Sequence, residues 1–137
     1  MKRIPFNLEV DLSPIPFNRR HCQLAGELKS LGLPWTPHVG CFVWDPDNYI
    51  PAESPFPNRI YFILSLPRFL DMFGSLDEIG EKLVWLPTWH QARLMGERLG
   101  VSTASVKDIW HQETVPAAGE EILRIYGLLK DALQTGA

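Results

Sequence analysis

Apolar positions in the first half of the chain alternate or run continuously, and in the second half they recur at helical spacing. Leu8, Val10 and Leu12 alternate with Glu9 and Asp11, which predicts a short strand over residues 4–12. His38 to Trp44 reads as a second strand. Arg59 to Leu66, with Ile60, Tyr61, Phe62, Ile63 and Leu64 nearly unbroken, reads as a third, buried on both faces. Between these strands Leu24, Ala25, Leu28 and Leu31 mark a helix that starts after Asn18, stops at Gly32 and is barred from continuing by Pro34. After Pro67 the signals become helical: Pro67 to Phe73; a run from Ser75, at capping-box distance from Glu78, to about Leu86; Thr88 to Arg98, with Gln91 repeating that spacing; and about Thr103 to Gln112. A last helix starts at Pro116 or Ala117 and ends near Leu133. Its stripe is Ile122, Leu123, Ile125, Tyr126, Leu129 and Leu133. The expected class is α+β, with a small sheet in the first half and a helix-rich second half. The expected organisation is one domain over 1–137, with a possible sub-boundary near Gly74.

Composition narrows the class. A chain of 137 residues can bury a real core. There is no run of about eighteen apolar residues, so no membrane-spanning helix is expected. Residues 1–9 lack the apolar stretch of a signal peptide, and a cytoplasmic location is the default. Cys22 and Cys41 are too few for a disulfide framework and read as buried free thiols. Twelve prolines, clustered rather than scattered, suggest pinned loops.

The segment Leu99-Gly100-Val101-Ser102-Thr103-Ala104-Ser105-Val106 has the chemistry of a tight helical corner. Gly100 can take the left-handed conformation that ends one helix, and Ser102 can cap the next. The spacing small-x-x-Leu-Gly-Val-Ser-x-x-Ser-Val, over roughly residues 90–112, resembles the helix-turn-helix of DNA-binding regulators. That resemblance implies a duplex-facing surface of Arg93, Arg98, Thr103, Ser105, Lys107 and Gln112. Charge works against it. The net charge is −3, and Glu97 and Asp108 sit among the few cations that would meet phosphate. Any two helices can also turn a corner this way.

A second resemblance is to the Nudix family. Glu27-Leu28-Lys29-Ser30-Leu31-Gly32-Leu33 is similar to the end of the Nudix box. Arg59 to Leu64 is similar to the strand that follows, and Trp85-Leu86-Pro87 before Gln91-Ala92 to the start of the late helix. The chain departs from that family where its chemistry resides. It has Arg19-Arg20-His21-Cys22-Gln23 upstream and only Glu27 among possible carboxylate ligands, so the resemblance implies a degenerate domain without hydrolase activity.

Three further constellations carry candidate chemistry. Asp45-Pro46-Asp47-Asn48-Tyr49 opens a proline-rich loop that extends to Asn58. Trp44, Asp45, Tyr49 and Arg59 could border a pocket beneath it, or the same residues form an ordinary Asx turn. Asn18, Arg19 and Arg20 at a helix start could receive a small anionic ligand, although solvated surface arginines are the plainer account. His21, Cys22, His38 and Cys41 are possible metal ligands. Neighbours on a helix diverge by about 100°, and His38 and Cys41 would face opposite sides of a regular strand, so neither metal nor cofactor is expected. No nucleophile elbow, phosphate loop or zinc-protease helix is present. The function expected from sequence is therefore a binding or regulatory protein with a helix-turn-helix-like segment, its partner duplex DNA or another protein. The alternatives are a small-molecule binder or enzyme with a pocket under the 45–58 loop, and a subunit that engages proteins through Trp85, Trp89, Trp110 or the last helix.

Overall fold

The computed structural model describes residues 15–54, 56–110 and 119–135. The helix α1 spans Arg19–Ser30. It is followed by β1 (Phe42–Trp44), a 3-10 turn (Pro57–Arg59), β2 (Ile60–Phe62), α2 (Leu66–Phe73), α3 (Leu76–Lys82) and β3 (Val84–Leu86). The chain then runs through α4 (Trp89–Leu99), α5 (Thr103–Trp110) and α6 (Glu120–Gln134). The expected α+β class holds. The proposed strand over 4–12 lies outside the described residues.

Helix boundaries follow local chemistry. Asn18 caps α1 through its side-chain oxygen, which accepts from the Arg20 and His21 N–H groups at 2.9 and 3.3 Å. Thr88 and Gln91 cap α4 reciprocally, at 3.2 and 3.0 Å. Ser75 caps α3 by accepting from the Glu78 N–H at 3.1 Å. The helix α6 carries Ile122, Ile125, Tyr126 and Leu129, spaced as one apolar stripe, and all four are buried. Both α1 and α4 pack along that stripe, and α5 sits on the same helix. The Tyr126 hydroxyl donates to the Pro87 carbonyl and ties α6 to the β3–α4 connection.

The sheet is antiparallel with order β2-β1-β3, pairing Val43 with Tyr61 on one side and with Trp85 on the other. Two expectations are corrected here. The helix expected to reach Leu86 ends at Lys82, because Leu83 turns extended and Val84–Leu86 joins β1 as a strand buried throughout. A run of Val, Trp and Leu covered on both faces satisfies its backbone better in a ladder than in a further helical turn. This strand lies beyond Gly74, so the sheet crosses that position. The strand expected over Arg59–Leu66 is shorter and is an edge: Phe62 is 38% exposed and Leu64 75% exposed, and only Ile60, Tyr61 and Ile63 are buried. Tyr61 and Ile63 share one buried side, whereas the side of Ile60, Phe62 and Leu64 is buried at Ile60 and opens along the strand. Among the described residues no helix is long and apolar enough to cross a membrane.

Candidate functional site

The helical corner forms as its residues dictate. Gly100 has φ +81°. The Val101 N–H bonds the Gly96 carbonyl at 2.8 Å and the Gly100 N–H bonds Glu97 at 3.3 Å, the double closure of a Schellman end. Ser102 Oγ accepts from the Ser105 N–H at 3.1 Å and meets Ser105 Oγ at 2.7 Å. Gly96 is buried against Val101 and Leu129. Arg93, Arg98 and Lys107 are exposed and Ser105 is half-buried. Gln112 and the Thr103 side chain lie outside the described residues. Arg93 and Arg98 stand five residues apart, which places them about 140° apart around α4, with exposed Glu97 between them. The corner is well made, and its cations do not form a single stripe.

The loop after β1 closes on itself. Asp45 is fully buried. Its carboxylate accepts from the Tyr49 N–H at 3.1 Å and the Ile50 N–H at 2.8 Å, and pairs with Arg59 Nη2 at 2.8 Å. Arg59 also donates to the Ile50 carbonyl at 2.7 Å and lies over the Tyr61 ring. The hydrogen bond to Asp45 favours the charged guanidinium. Ser54 Oγ donates to the Ile60 carbonyl and accepts from the Phe56 N–H at 3.0 Å. Trp44 is half-buried beside Gly26, and Tyr49 is exposed with its ring edge on Phe73. Asp45 and Arg59 therefore act as an internal latch. At the start of α1, Arg19 and Arg20 are exposed, and the Asn18 side chain already occupies the Arg20 and His21 N–H groups that an anion would seek.

The geometry expected for His38 and Cys41 is also corrected. Gly40 takes φ +100°, which breaks the strand alternation and brings His38 Nε2 to 3.4 Å from Cys41 Sγ. His38 Nδ1 lies 2.8 Å from the Val39 carbonyl, so it carries the proton and Nε2 accepts from the thiol. Cys41 is fully buried, and no group of three His, Cys, Asp or Glu side chains suited to a metal occurs among the described residues. His21 is buried as well. Its Nε2 donates to the Gly119 carbonyl at 3.0 Å, and Nδ1 accepts from the Asn18 N–H at 3.1 Å. Burial lowers its pKa. The Cys22 thiol is pushed up to about 12 by burial.

A different site stands out by what it leaves unpaired. The end of α1 is a second Schellman closure: the Gly32 N–H bonds Lys29 and the Leu33 N–H bonds Leu28, both at 3.0 Å, with Gly32 at φ +88°. That turn sends Leu33 and Trp35 back toward β3, where the Trp35 indole stacks parallel to Trp85 at 5.9 Å. Ala25, Lys29, Leu33, Trp35, Gly80, Leu83 and Trp85 enclose a notch of about 70 Å³. Both indole Nε1–H groups are buried with no acceptor among the described residues. Lys29 donates to the Glu81 carbonyl and, at 3.2 Å, to the Leu83 carbonyl, closing the C-terminal end of α3. Burial lowers the Lys29 pKa, opposed by Asp47 and Glu81. The notch lies at the α1, α3 and β3 junction, with no lining residue from the 45–58 loop where a pocket was expected. The sequence reading treated Trp85 as core or interface and did not single out Trp35 or Lys29. Only a general signal was available, that a buried indole N–H requires an acceptor.

No family model matches the chain, and neither a curated protein nor a solved structure matches it.

Proposed function

We propose that this protein acts by binding, and that the notch between Trp35, Trp85 and Lys29 receives a small acceptor-bearing group of its ligand. The observation that carries the reading is the pair of buried indole donors without an acceptor. Buried polar groups are almost always paired, and each exception calls for an explanation. An unmade hydrogen bond in a buried site costs about 1–3 kcal/mol; both indole nitrogens are closed to a water-sized atom in the free protein, so a ligand acceptor relieves that cost when one ring turns to meet it. The notch is far smaller than the roughly 300–1,000 Å³ that encloses a whole metabolite. It suits the end group of a ligand whose remainder stays outside. Free buried thiols at Cys22 and Cys41 fit the cytoplasmic location expected from sequence.

The test is a thermal-shift series with small probes: acetate, formate, N-methylacetamide and chloride. At least one probe is expected to raise the melting temperature, because a ligand that binds only the folded state stabilises it. Equal melting temperatures across the series, with unchanged Trp35 and Trp85 indole resonances, would remove the reading.

A second reading is favoured by the left-handed Gly100 and the Ser102 cap: the α4–α5 corner meets a partner, with duplex DNA as the case that can be measured. Arg93, Arg98 and Lys107 supply three cations, so log K against log salt should fall with a slope no steeper than about −3. Fluorescence anisotropy of a labelled duplex across a salt series measures it. Absence of binding at low salt excludes the duplex.

A further inference from the structure

We infer that the open apolar side of β2, at Phe62 and Leu64, is the docking surface of this chain's own first segment, residues 4–12. Leu64 is 75% exposed and stands on the same side of the strand as Phe62 and the buried Ile60. Val39, beside the Gly40 N–H that bonds the Ile63 carbonyl, is 55% exposed and adds to this end of the sheet. No charged residue occurs between Arg59 and Arg68. A sheet edge with exposed apolar side chains invites association, and folded proteins charge such an edge or cover it. This one carries no charge, so it needs a cover. Position and pattern select the first segment. The Phe17 ring lies 5.5 Å from Phe42, and Phe42 lies 4.8 Å from Phe62. The chain thus enters the described fold one ring away from the open side. In residues 4–12, Ile4, Phe6, Leu8, Val10 and Leu12 take every second position, with Asn7, Glu9 and Asp11 among the residues between them. An extended run of this kind has one apolar side.

Length and backbone bonding refine the mode. Only Ser13 and Pro14 separate Leu12 from the buried Ile15. At ~3.3 Å per residue the segment spans about 30 Å and the stretch Ile60–Leu64 about 16 Å, so the segment is long enough to cover it. So short a tether gives an effective concentration on the order of millimolar, which a second copy at micromolar concentration does not match. Ile63 exchanges its backbone bonds with Cys41 and Gly40, and the Arg59 carbonyl accepts from the Asp45 N–H. By alternation Ile60 and Phe62 turn their backbone groups to the outer edge. There the Ile60 carbonyl already accepts from Ser54 Oγ, and the Phe62 carbonyl accepts from the Leu64 N–H at 3.1 Å. Both outward acceptors are taken, so the cover is held by side chains rather than by a continued ladder. This also disfavours edge-to-edge pairing of two copies. The apolar side of the segment lies over Phe62 and Leu64, and Glu9 and Asp11 face solvent.

The experiment is methyl NMR on the full chain with labelled Ile, Leu and Val, and a synthetic peptide of residues 1–14 supplies the shifts of the undocked segment. The expected result is nuclear Overhauser contact from the Leu8, Val10 or Leu12 methyls to the Leu64 methyls or the Phe62 ring. Those contacts should be absent from the isotope-filtered spectrum of a mixture of labelled and unlabelled chains, which records contacts between copies. Leu64→Ser changes a side chain that is mostly in solvent, so the fold is kept. It should move the Leu8, Val10 and Leu12 methyl shifts toward the peptide values, while Ile125 and Leu129, buried on α6, keep theirs. The reciprocal variant, Leu8→Ser with Val10→Ser and Leu12→Ser, should move the Leu64 methyls and leave the same α6 signals in place. Contacts found in the mixed sample would assign the surface to a second copy and overturn the inference. It is equally overturned if the three methyls show no contact with Phe62 or Leu64, or if Leu64→Ser leaves their shifts unchanged.

Discussion

The Asp45 loop and the tryptophan notch contain similar residue types and have opposite hydrogen-bond accounts. In the loop a buried carboxylate meets two backbone N–H groups and an arginine, and the arginine in turn meets a backbone carbonyl. At the notch two buried indole N–H groups have no acceptor among the described residues, while the Lys29 ammonium meets two backbone carbonyls. By composition the loop was the better candidate, with paired aspartates, aromatics, an arginine and many prolines. It is the region whose side chains are committed to holding the chain in place. Charged and aromatic residues in a loop mark a ligand site only if structure leaves them unpartnered.

The largest expected effect breaks the loop. Asp45→Ala orphans the Tyr49 and Ile50 N–H groups and removes the partner of Arg59. At about 1–3 kcal/mol per orphaned donor, unfolding free energy should drop by about 3 kcal/mol or more. Urea denaturation checks it. A loss under about 1 kcal/mol would mean that the loop is not a latch.

The next effect tests a second satisfied group, His21. A Cβ at Gly119 would lie 2.8 Å from the His21 ring and 3.0 Å from the Pro16 carbonyl, at φ +77°. Gly119→Ala combines a left-handed strain of about 1–2 kcal/mol with loss of one buried hydrogen bond worth about 1 kcal/mol. A drop of about 2–3 kcal/mol is expected in the same urea assay.

His21 also sets a pH dependence. Burial lowers its folded-state pKa below the ordinary 6.5, and Arg20 acts in the same sense; the bond to Gly119 and the charge of Glu120 oppose this. The unfolded chain therefore binds more protons between the two pKa values, and stability rises with pH across that window. The His21 contribution is complete above about pH 6.5 and is lost as pH falls toward the lowered value. Urea midpoints from pH 5 to 7.5 should decline on the acid side. His21→Gln should flatten that decline, and an unchanged slope would assign it elsewhere.

Several elements were legible in the sequence because they depend on neighbours along the chain. The Asn18 and Thr88 caps, the Gly32 and Gly100 stops and the stripe on α6 all act within one or two helical turns. What was not legible depends on contacts across the fold. Val84–Leu86 becomes a strand because β1 is available to pair with it. His38 reaches Cys41 because Gly40 adopts φ +100°. Trp35 and Trp85 are fifty residues apart and meet only through the turn at Gly32 and the short β3. No spacing rule connects them, so the notch could not be read before the fold placed Lys29 beside both.

The smallest expected effect decides the comparison. Trp85→Phe removes an indole N–H that has no acceptor and keeps an aromatic ring against Trp35. Deleting a satisfied buried donor costs stability; deleting an unsatisfied one removes a desolvation penalty that offsets the lost volume. Without ligand, Trp85→Phe should therefore change unfolding free energy by less than about 1 kcal/mol in either direction, against about 3 kcal/mol or more for Asp45→Ala. The same substitution should shrink the rise in melting temperature that acetate, formate, N-methylacetamide or chloride produces. A large loss of stability without ligand would show that the Trp85 N–H already has a partner in the free protein. The notch would then be as satisfied as the loop, and the contrast between the two regions would disappear.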